Sequence, residues 1–525
     1  MRIGVKIKVL NEIKKLFKKD FIKHISGFSL GTIISRVTGL LRESTIAYLF
    51  GAGLFTDAFY VAFRIPNLLR DFFAETALSA SFIPVFVEKK EKKLKDAWRF
   101  TSNVYNLLSL FIFSIVIFGI LFSPFITRII APGFLKNPYK FNLTVFLTRI
   151  MFPFLLFISL SAVSYGVLNS FGSFFLPAVS PAVFNIVSVA FAFLLYGFLS
   201  SRGVAPITGM AIGAVTGVFL QFLLLFSGVI KKGFSYKPVL SLKEPGIKTM
   251  VSLWVPVVLG LAAVEINVMV DTLLASLLEE ASVSYLSYAY RVMHLPLAVF
   301  GIAIGSVSLP RFSKITADKK WEELRNALMR SIKAVNIVLI PLAVFFIFFS
   351  LPITRVIYER GAFTFRNSFN TAQAVALYTL GIWAASNARV FSACFYSLKN
   401  SKTPMRVGLL SVGLNLTLNL SLMHFLRFRA FALTTSACSF FSVIFLWKKL
   451  HTHYKEIFKP LKFPLPFRHI GISILSIIIP LACWGVVETY LEISQITRFF
   501  MLFLLFGIFT GSYYLMGKKF RLFSF

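Results

Sequence analysis

Acidic residues are scarce in this chain: 21 Asp and Glu stand against 55 Lys and Arg among 525 residues, a formal net charge of +34. Charged residues of both signs reach only 14%, well below the roughly 25% of an ordinary soluble domain. That shortage excludes a water-exposed surface over most of the chain, and also a disordered or coiled-coil architecture. Cysteine is nearly missing. Cys394, Cys438 and Cys483 all lie in apolar runs, which excludes a disulfide framework and a paired metal motif. No P-loop, nucleophile elbow or metal-spaced His/Cys cluster occurs. What the chain has is apolar surface: 57% hydrophobic residues, 62 of the residues Phe, and a mean hydropathy of +0.78. These numbers place it among polytopic α-helical membrane proteins.

A bilayer core takes about 20 apolar residues per helix, and the sequence offers fourteen such segments. The first (25–51), second (58–87), seventh (249–278) and eighth (285–310) carry charges and are expected to score poorly on hydropathy alone. With the N-terminus placed inside, the alternate loops and both tails hold 38 Lys and Arg on that side and ten on the other. This is the positive-inside asymmetry of a multi-pass protein of the cytoplasmic membrane with both ends cytoplasmic. The basic excess then faces anionic membrane lipids, worth about 1 kcal/mol per residue near the surface, and no nucleic-acid partner is needed to explain it. The basic, amphipathic segment 1–24 has no small-residue cleavage site and reads as a retained cytoplasmic surface helix.

The two halves of the chain echo one another. FSPFITRII at 122–130 returns as FSLPITRVI at 349–357, ALSASFIPVF at 77–86 as AIGSVSLPRF at 303–312, and Tyr165-x-x-x-Asn169-Ser170 as Tyr396-x-x-x-Asn400-Ser401. Near-constant offsets that keep the side of the membrane imply a parallel duplication of six helices. Such a plan is used by transporters with the substrate between the lobes. The expected fold is all-α, with fourteen transmembrane helices, two parallel six-helix lobes around a central cavity, and two extra C-terminal helices. The expected organisation is an N-terminal lobe at 25–230, a cytoplasmic linker at 231–248 and a C-terminal lobe at 249–447. A basic cytoplasmic loop at 448–468 and helices 13 and 14 with a short tail at 469–525 complete it.

Seven basic residues remain inside spans, and all are arginine: Arg36, Arg42, Arg64, Arg70, Arg149, Arg291 and Arg389. Glu43, Asp71, Glu75, Glu265 and Asp271 join them, with Asp57 at the mouth of the second span. An ionised group at the bilayer centre costs at least about 2.5–3.5 kcal/mol, so these side chains should face a wet cavity or one another. Spacing puts Arg36 and Glu43 on one face of helix 1, and Asp57, Arg64, Asp71 and Glu75 in one stripe on helix 2. Pro66 is expected to kink that helix, and Gly31 and Gly39 are candidate bends in helix 1. Arg64 is equally compatible with ion pairing to Asp71 or Glu75. Arg149 fits an interfacial position, and spacing gives Arg389 no role. A planar guanidinium binds phosphate oxygens in pairs and keeps its charge when desolvated. Surplus arginine therefore suits an anionic cargo, with diphosphate the natural candidate. In the other lobe Asp271, Asn415, Asn419 and Thr435 form an all-oxygen set that suits Na⁺ as a coupling ion; interhelical hydrogen bonding explains the same set equally well.

The run Ser35-Arg36-Val37-Thr38-Gly39-Leu40-Leu41-Arg42-Glu43 is followed by Phe50-Gly51-Ala52-Gly53, Thr56-Asp57-Ala58-Phe59, Ile65-Pro66-Asn67-Leu68-Leu69-Arg70 and Phe73-Ala74-Glu75. With Ala131-Pro132-Gly133-Phe134, Tyr288-Ala289-Tyr290-Arg291 and Lys402-Thr403-Pro404, it resembles the MurJ/MviN lipid II flippases. The resemblance spans all fourteen segments and is densest in 35–86. It implies the fold of the multidrug/oligosaccharidyl-lipid/polysaccharide exporters. It also implies movement of lipid II, the undecaprenyl-diphosphate-linked peptidoglycan precursor, to the outer leaflet, a step of cell-wall biogenesis. The family's cavity arginines match Arg36, Arg42, Arg70 and Arg291, its acid at the head of helix 2 matches Asp57, and its helices 13 and 14 hold the polyprenyl tail. The resemblance implies an acid near the position where this chain has His294, so that either the pairing of Arg291 differs here or His294 adds a pH-dependent positive charge.

The expected mechanism is alternating access without covalent chemistry, so no enzyme and no organic cofactor. Arg36, Arg42, Arg70 and Arg291 bind the diphosphate, with Ser35, Glu43, Asp57, Arg64 and Glu75 as neighbours. An inside-negative potential favours outward movement of an anion by about 2.3 kcal/mol per charge per 100 mV. A monomer is expected, in contact with proteins of cell-wall synthesis. The rivals are a flippase for another polyprenyl-diphosphate glycan and a cation-coupled drug exporter, which calls for surplus acid rather than arginine. A membrane enzyme of lipid-linked sugars needs an acid/base or metal motif, and a non-transporting scaffold tolerates loss of the arginines.

Overall fold

Long apolar runs broken by Pro, Gly and short basic loops fold into helices throughout the described residues, because in a bilayer only a helix satisfies its own backbone groups. The structure, a computed structural model, describes residues 19–73, 77–458, 466–490, 494–520 and 522. Most of the basic N-terminal segment, Glu75 and part of the loop at 448–468 lie outside them. The first helices are α1 (Lys19–Phe50), α2 (Leu54–Phe73), α3 (Ala77–Lys92), α4 (Leu94–Leu121), the short α5 (Ser123–Ile130), α6 (Pro138–Met151), α7 (Phe154–Ser170), α8 (Phe175–Ser201) and α9 (Thr208–Lys231). There follow α10 (Pro245–Ser276), α11 (Ser282–Pro296), a π-helical turn (Leu297–Ile302), α12 (Ala303–Ala317), α13 (Trp321–Phe348), the short α14 (Ser350–Tyr358), α15 (Phe365–Leu380) and α16 (Ile382–Ser397). The last long helices are α17 (Lys402–Leu426), α18 (Arg429–His453), α19 (Phe467–Tyr490) and α20 (Gln495–Lys519).

Among the described residues, ten helical stretches are long and apolar enough to cross a membrane by length and composition. The first and second expected spans are not among the ten, in keeping with their charges, and the seventh is represented by the shorter apolar stretch Pro245–Val258. The eighth is among them: Ser282–Ala317 is apolar enough despite Arg291, because Leu297–Ile304 is apolar throughout. The tenth is interrupted at Gly381 into two helices of 16 residues each.

The chain divides into two compact units, Met1–Ile46 with Ala58–Ala262, and Ala47–Asp57 with Ala263–Phe525. In the first, α8 and α9 pack with no side chain between their backbones at Gly209, Gly213 and Gly217. A methyl at Gly217 would lie 2.7 Å from the Phe184 carbonyl oxygen, the close approach that small residues four apart permit. Gly31 does the same for α1 against α8, where a methyl would lie 2.9 Å from the Ala178 Cβ. Its role is this contact; α1 runs unbroken through it. The linker crosses α4 in extended form: Asn103 donates to the Ser241 carbonyl at 2.7 Å and accepts from its N–H at 2.8 Å, and Lys89 pairs with Glu244 at 3.1 Å.

In the second unit, α19 packs on α13 and α20 on α14, and the two helices pair with each other. The Phe345 ring meets Phe506 and Phe509 at 5.0 and 5.5 Å. The repeated motif takes the same local form in both copies. Phe122 and Phe349 each stand at a break in a long helix, with φ −90 and −100, and each starts a short helix, α5 or α14. In both, the break residue donates to the carbonyl four before it at 2.8 Å.

Candidate functional site

The densest run of the sequence lands on α1 and α2, and in the first unit its charges are organised around Arg42. This side chain is 8% exposed. Its Nη2 donates to Glu43 Oε1 at 2.7 Å, and Glu43 Oε2 accepts from the Tyr60 hydroxyl of α2 at 2.8 Å. The guanidinium lies 4.8 Å from the Phe184 ring centre and 5.7 Å from that of Phe63, which holds its plane by cation–π attraction. Helical spacing puts Arg36 on the same face of α1 as Glu43, and the ion pair joins the sequence neighbours Arg42 and Glu43, the long arginine stem folding over an acid that α2 already holds. Arg36 is exposed on α1. Ser35 contributes its carbonyl, which accepts from Thr38 Oγ1 at 3.1 Å and from Asn185 Nδ2 at 3.4 Å.

At the far end of α2, Arg70 contacts Asp71 Oδ1 through Nε at 3.2 Å and Nη2 at 3.1 Å, both side chains about a quarter exposed. The end of α2 is fixed by Trp254 Nε1, which donates to the Phe72 carbonyl at 2.9 Å. Pro66 lies inside α2, and Arg64 is half-buried two residues before it. Arg149 donates through Nε to Ser123 Oγ at 2.9 Å.

Asp57 lies in the first turn of α2. It is 1% exposed and belongs to the second unit, where it caps the start of α11. Oδ1 accepts from the Ser284 N–H at 2.9 Å and its hydroxyl at 2.5 Å, and Oδ2 from the Ala281 N–H at 2.9 Å. A carboxylate here satisfies orphan N–H groups and meets the positive end of the helix dipole. Around it Leu54 N–H donates to Glu280 at 2.9 Å, Tyr288 to the Gly51 carbonyl at 2.9 Å, and Ala362 N–H to the Tyr48 carbonyl at 2.8 Å. Gly51 and Gly361 take φ of +64 and +56, and a methyl at Gly361 would lie 2.4 Å from the Tyr48 carbonyl oxygen.

Arg291 is exposed on α11, and the His294 ring lies tilted against the Tyr290 ring, 5.4 Å between their centres. Arg389 lies on α16, its Cβ facing Gly305 of α12. The oxygen set is assembled: Asn419 Nδ2 donates to Asp271 Oδ1 and to Asn415 Oδ1, each at 2.7 Å, with both asparagines fully buried. The hydroxyl that completes it is Thr434, which donates to Asn419 Oδ1. Thr435 points one residue round the helix and donates to the Phe431 carbonyl at 2.8 Å. Among the described residues no group of three or more His, Cys, Asp or Glu is placed to hold a metal, so an ion here would rest on one carboxylate with amide and hydroxyl oxygens, a donor set for a hard monovalent cation.

Sequence reading missed Tyr60, Phe184, Ser284 and Thr434. Tyr60 lies three residues beyond Asp57, but only its packing reveals a partner on α1; Phe184 is one of 62 phenylalanines and carries no sequence signal.

Comparison with known proteins comes from three directions. The pattern of the family described as Lipid II flippase MurJ matches residues 46–510. A relative named probable lipid II flippase MurJ from Buchnera aphidicola subsp. Schizaphis graminum is 32% identical, over 82% of this chain and 84% of its own. The lipid II flippase MurJ of Burkholderia cenocepacia is 34% identical over 73% of this chain and 74% of its own. Among solved structures, a lipid II flippase MurJ in an inward closed conformation superimposes with a TM-score of 0.75 at 27% identity, covering 94% of this chain and 99% of that one. An inward-facing multidrug transporter of the MATE family matches with a TM-score of 0.64 at 13% identity, over 82% of this chain and 99% of its own, a likeness of fold.

Proposed function

The chain belongs to the lipid II flippase MurJ family, and from that premise we propose that it moves lipid II from the cytoplasmic to the outer leaflet of the bacterial cytoplasmic membrane. The observation that carries this reading is the family match over 46–510. The chemistry of the first unit supports it: arginine, rather than acid, is in surplus at membrane depth. Arg42 offers a plane fixed by Phe184 and Glu43, Arg36 is exposed on the same helix, and Arg70 lies at the end of α2. These groups take the diphosphate. Lobes of parallel repeats alternate in exposing the headgroup, while α19 and α20 accompany the polyprenyl tail. No bond of the cargo is made or broken. Depletion in the host with leaflet-resolved detection of lipid II tests this: cargo should accumulate on the cytoplasmic side, and an unchanged distribution would overturn the assignment.

Na⁺ at Asp271, Asn415, Asn419 and Thr434 is proposed to reset the cycle. Thr434→Val should abolish Na⁺-dependent thermal stabilisation of the purified protein, and Thr435→Val should leave it in place. The same response from both variants, measured in Na⁺ against choline, would remove the ion from this site.

A further inference from the structure

Two of the expected spans of the second unit are interrupted part-way, and their pieces pack in matched pairs. Span 8 consists of α11, the π-helical turn Leu297–Ile302 and α12, with Pro296 just before the turn. Span 10 consists of α15 and α16, restarted at Gly381, whose N–H reaches back only three residues to the Tyr378 carbonyl at 3.1 Å. The carbonyl four residues back, that of Leu377, accepts from Ser436 Oγ of α18 at 2.6 Å. In a bilayer a broken helix is tolerated where a neighbouring serine takes over the freed backbone group, and α18 supplies that serine.

The first halves pack together, α11 on α15, and so do the second halves, α12 and the π-turn on α16. Tyr285 donates to Asn367 Oδ1 at 3.2 Å, and the Tyr290 and Tyr378 rings meet at 6.0 Å, which joins the first pair. The second pair is closer. A methyl at Gly301 would overlap Ser386 Oγ, one at Gly305 would lie 3.4 Å from the Arg389 Cβ, and Thr316 Oγ1 donates to Ser397 Oγ at 3.4 Å. Beside them α13 and α18 each run as one helix, and Trp383 Nε1 donates to Asn336 Oδ1 of α13 at 2.6 Å. Both breaks therefore lie between the same two pairs of half-helices. A π-turn bonds residue i to i+5, so its bonds can exchange with the i+4 pattern of its flanks and change the angle between them. At Gly381 the exchangeable bond is the one from Ser436.

We propose that the second unit bends at this level: α11 with α15 forms one rigid block, α12 with α16 another, and the π-turn and Gly381 are paired hinges between them. The inference rests on the reading of the chain as a transporter. The Asp57 cap holds the start of α11, so the first block is the anchored one. Arg291 lies in the first block and Arg389 in the second, so a bend changes the distance between these two intramembrane arginines.

Spin-label distance measurements on the full chain in lipid vesicles test the hinges. The exposed Cys483 is first replaced by Ser. Labels on Phe369→Cys of α15 and Tyr396→Cys of α16 span the break, and labels on Val307→Cys of α12 and Tyr396→Cys lie within one block; all three positions are exposed. Without cargo the spanning pair should give two distances, the two bends in equilibrium, and the pair within the block should give one. A single distance for both pairs overturns the hinges, and two distances for both overturns the division into blocks. Deleting Val299, 60% exposed in the π-turn, lets span 8 run as a continuous α-helix. It should leave one spanning distance and slow lipid II movement about tenfold or more, with retention of lipid II unchanged. Movement at the wild-type rate in that variant overturns the link between bending and transport. If the variant does not fold, the two label pairs decide alone. Wild-type protein that fails to move lipid II overturns the proposed function, whereas two spanning distances would still establish the hinges.

Discussion

Arg42→Ala should reduce lipid II movement in reconstituted vesicles by about one to two orders of magnitude. Charge-assisted hydrogen bonds contribute about 1.5–3 kcal/mol each, and every 1.4 kcal/mol is about tenfold. The side chain is held by Glu43 at 2.7 Å and by the Phe184 ring at 4.8 Å, so its fork is oriented before cargo arrives and little ordering is needed on binding. Arg42→Lys keeps the charge but loses the planar fork and the ring contact, and should recover only part of the rate. Alanine also strands Glu43, a buried acid at 2% exposure, and breaking a buried pair costs about 3–5 kcal/mol. The double variant Arg42→Ala with Glu43→Gln removes that stranded charge. If it stays folded and still moves lipid II within twofold of wild type, arginine-mediated diphosphate binding at this position is wrong.

Asp57→Ala should lower the stability of the second unit more than Thr434→Val or Thr435→Val. The substitution removes three hydrogen bonds at once and leaves the N–H groups of Ala281 and Ser284 buried without an acceptor. Each stranded group costs about 1–3 kcal/mol, and the lost cap and dipole interaction add to that. A total of about 3–5 kcal/mol follows from the two N–H groups and the cap. Asp57→Asn keeps one carbonyl acceptor and should lie between alanine and wild type. Thermal unfolding of the purified protein, with limited proteolysis at the 47–57 tip, reads the effect. An unchanged transition in Asp57→Ala would show that the cap is dispensable, and would return Asp57 to the set of residues able to meet cargo.

Particular residues show how far a linear reading reaches. The repeat at 122–130 and 349–357 was legible because identical breaks in long apolar runs force identical local structure, and α5 and α14 follow. The seven intramembrane arginines were legible because charge in an apolar run stands out from composition alone. Partnerships were not. Glu43 pairs with Arg42 and with Tyr60 of another helix, contacts that the spacing of Arg36 and Glu43 on one face did not reveal. Thr434 replaces Thr435 in the oxygen set, since one residue is a rotation of about 100° and helix rotation is decided by neighbours. The eighth span is apolar enough to be counted, and the tenth breaks at Gly381, where a methyl would lie 2.7 Å from the Ser436 Cα of α18.

The sequence by itself determined the membrane class, most of the helical segments, the repeated motifs and the arginines set in apolar runs, because each depends on hydropathy, period and charge that are local to the chain. The tertiary structure decided which of those residues meet. It buried Asp57 as a helix cap and held Arg42 between an acid and an aromatic ring. These outcomes depend on helix rotation and packing, which are fixed by contacts between residues far apart in the chain and leave no periodic signal in either partner alone.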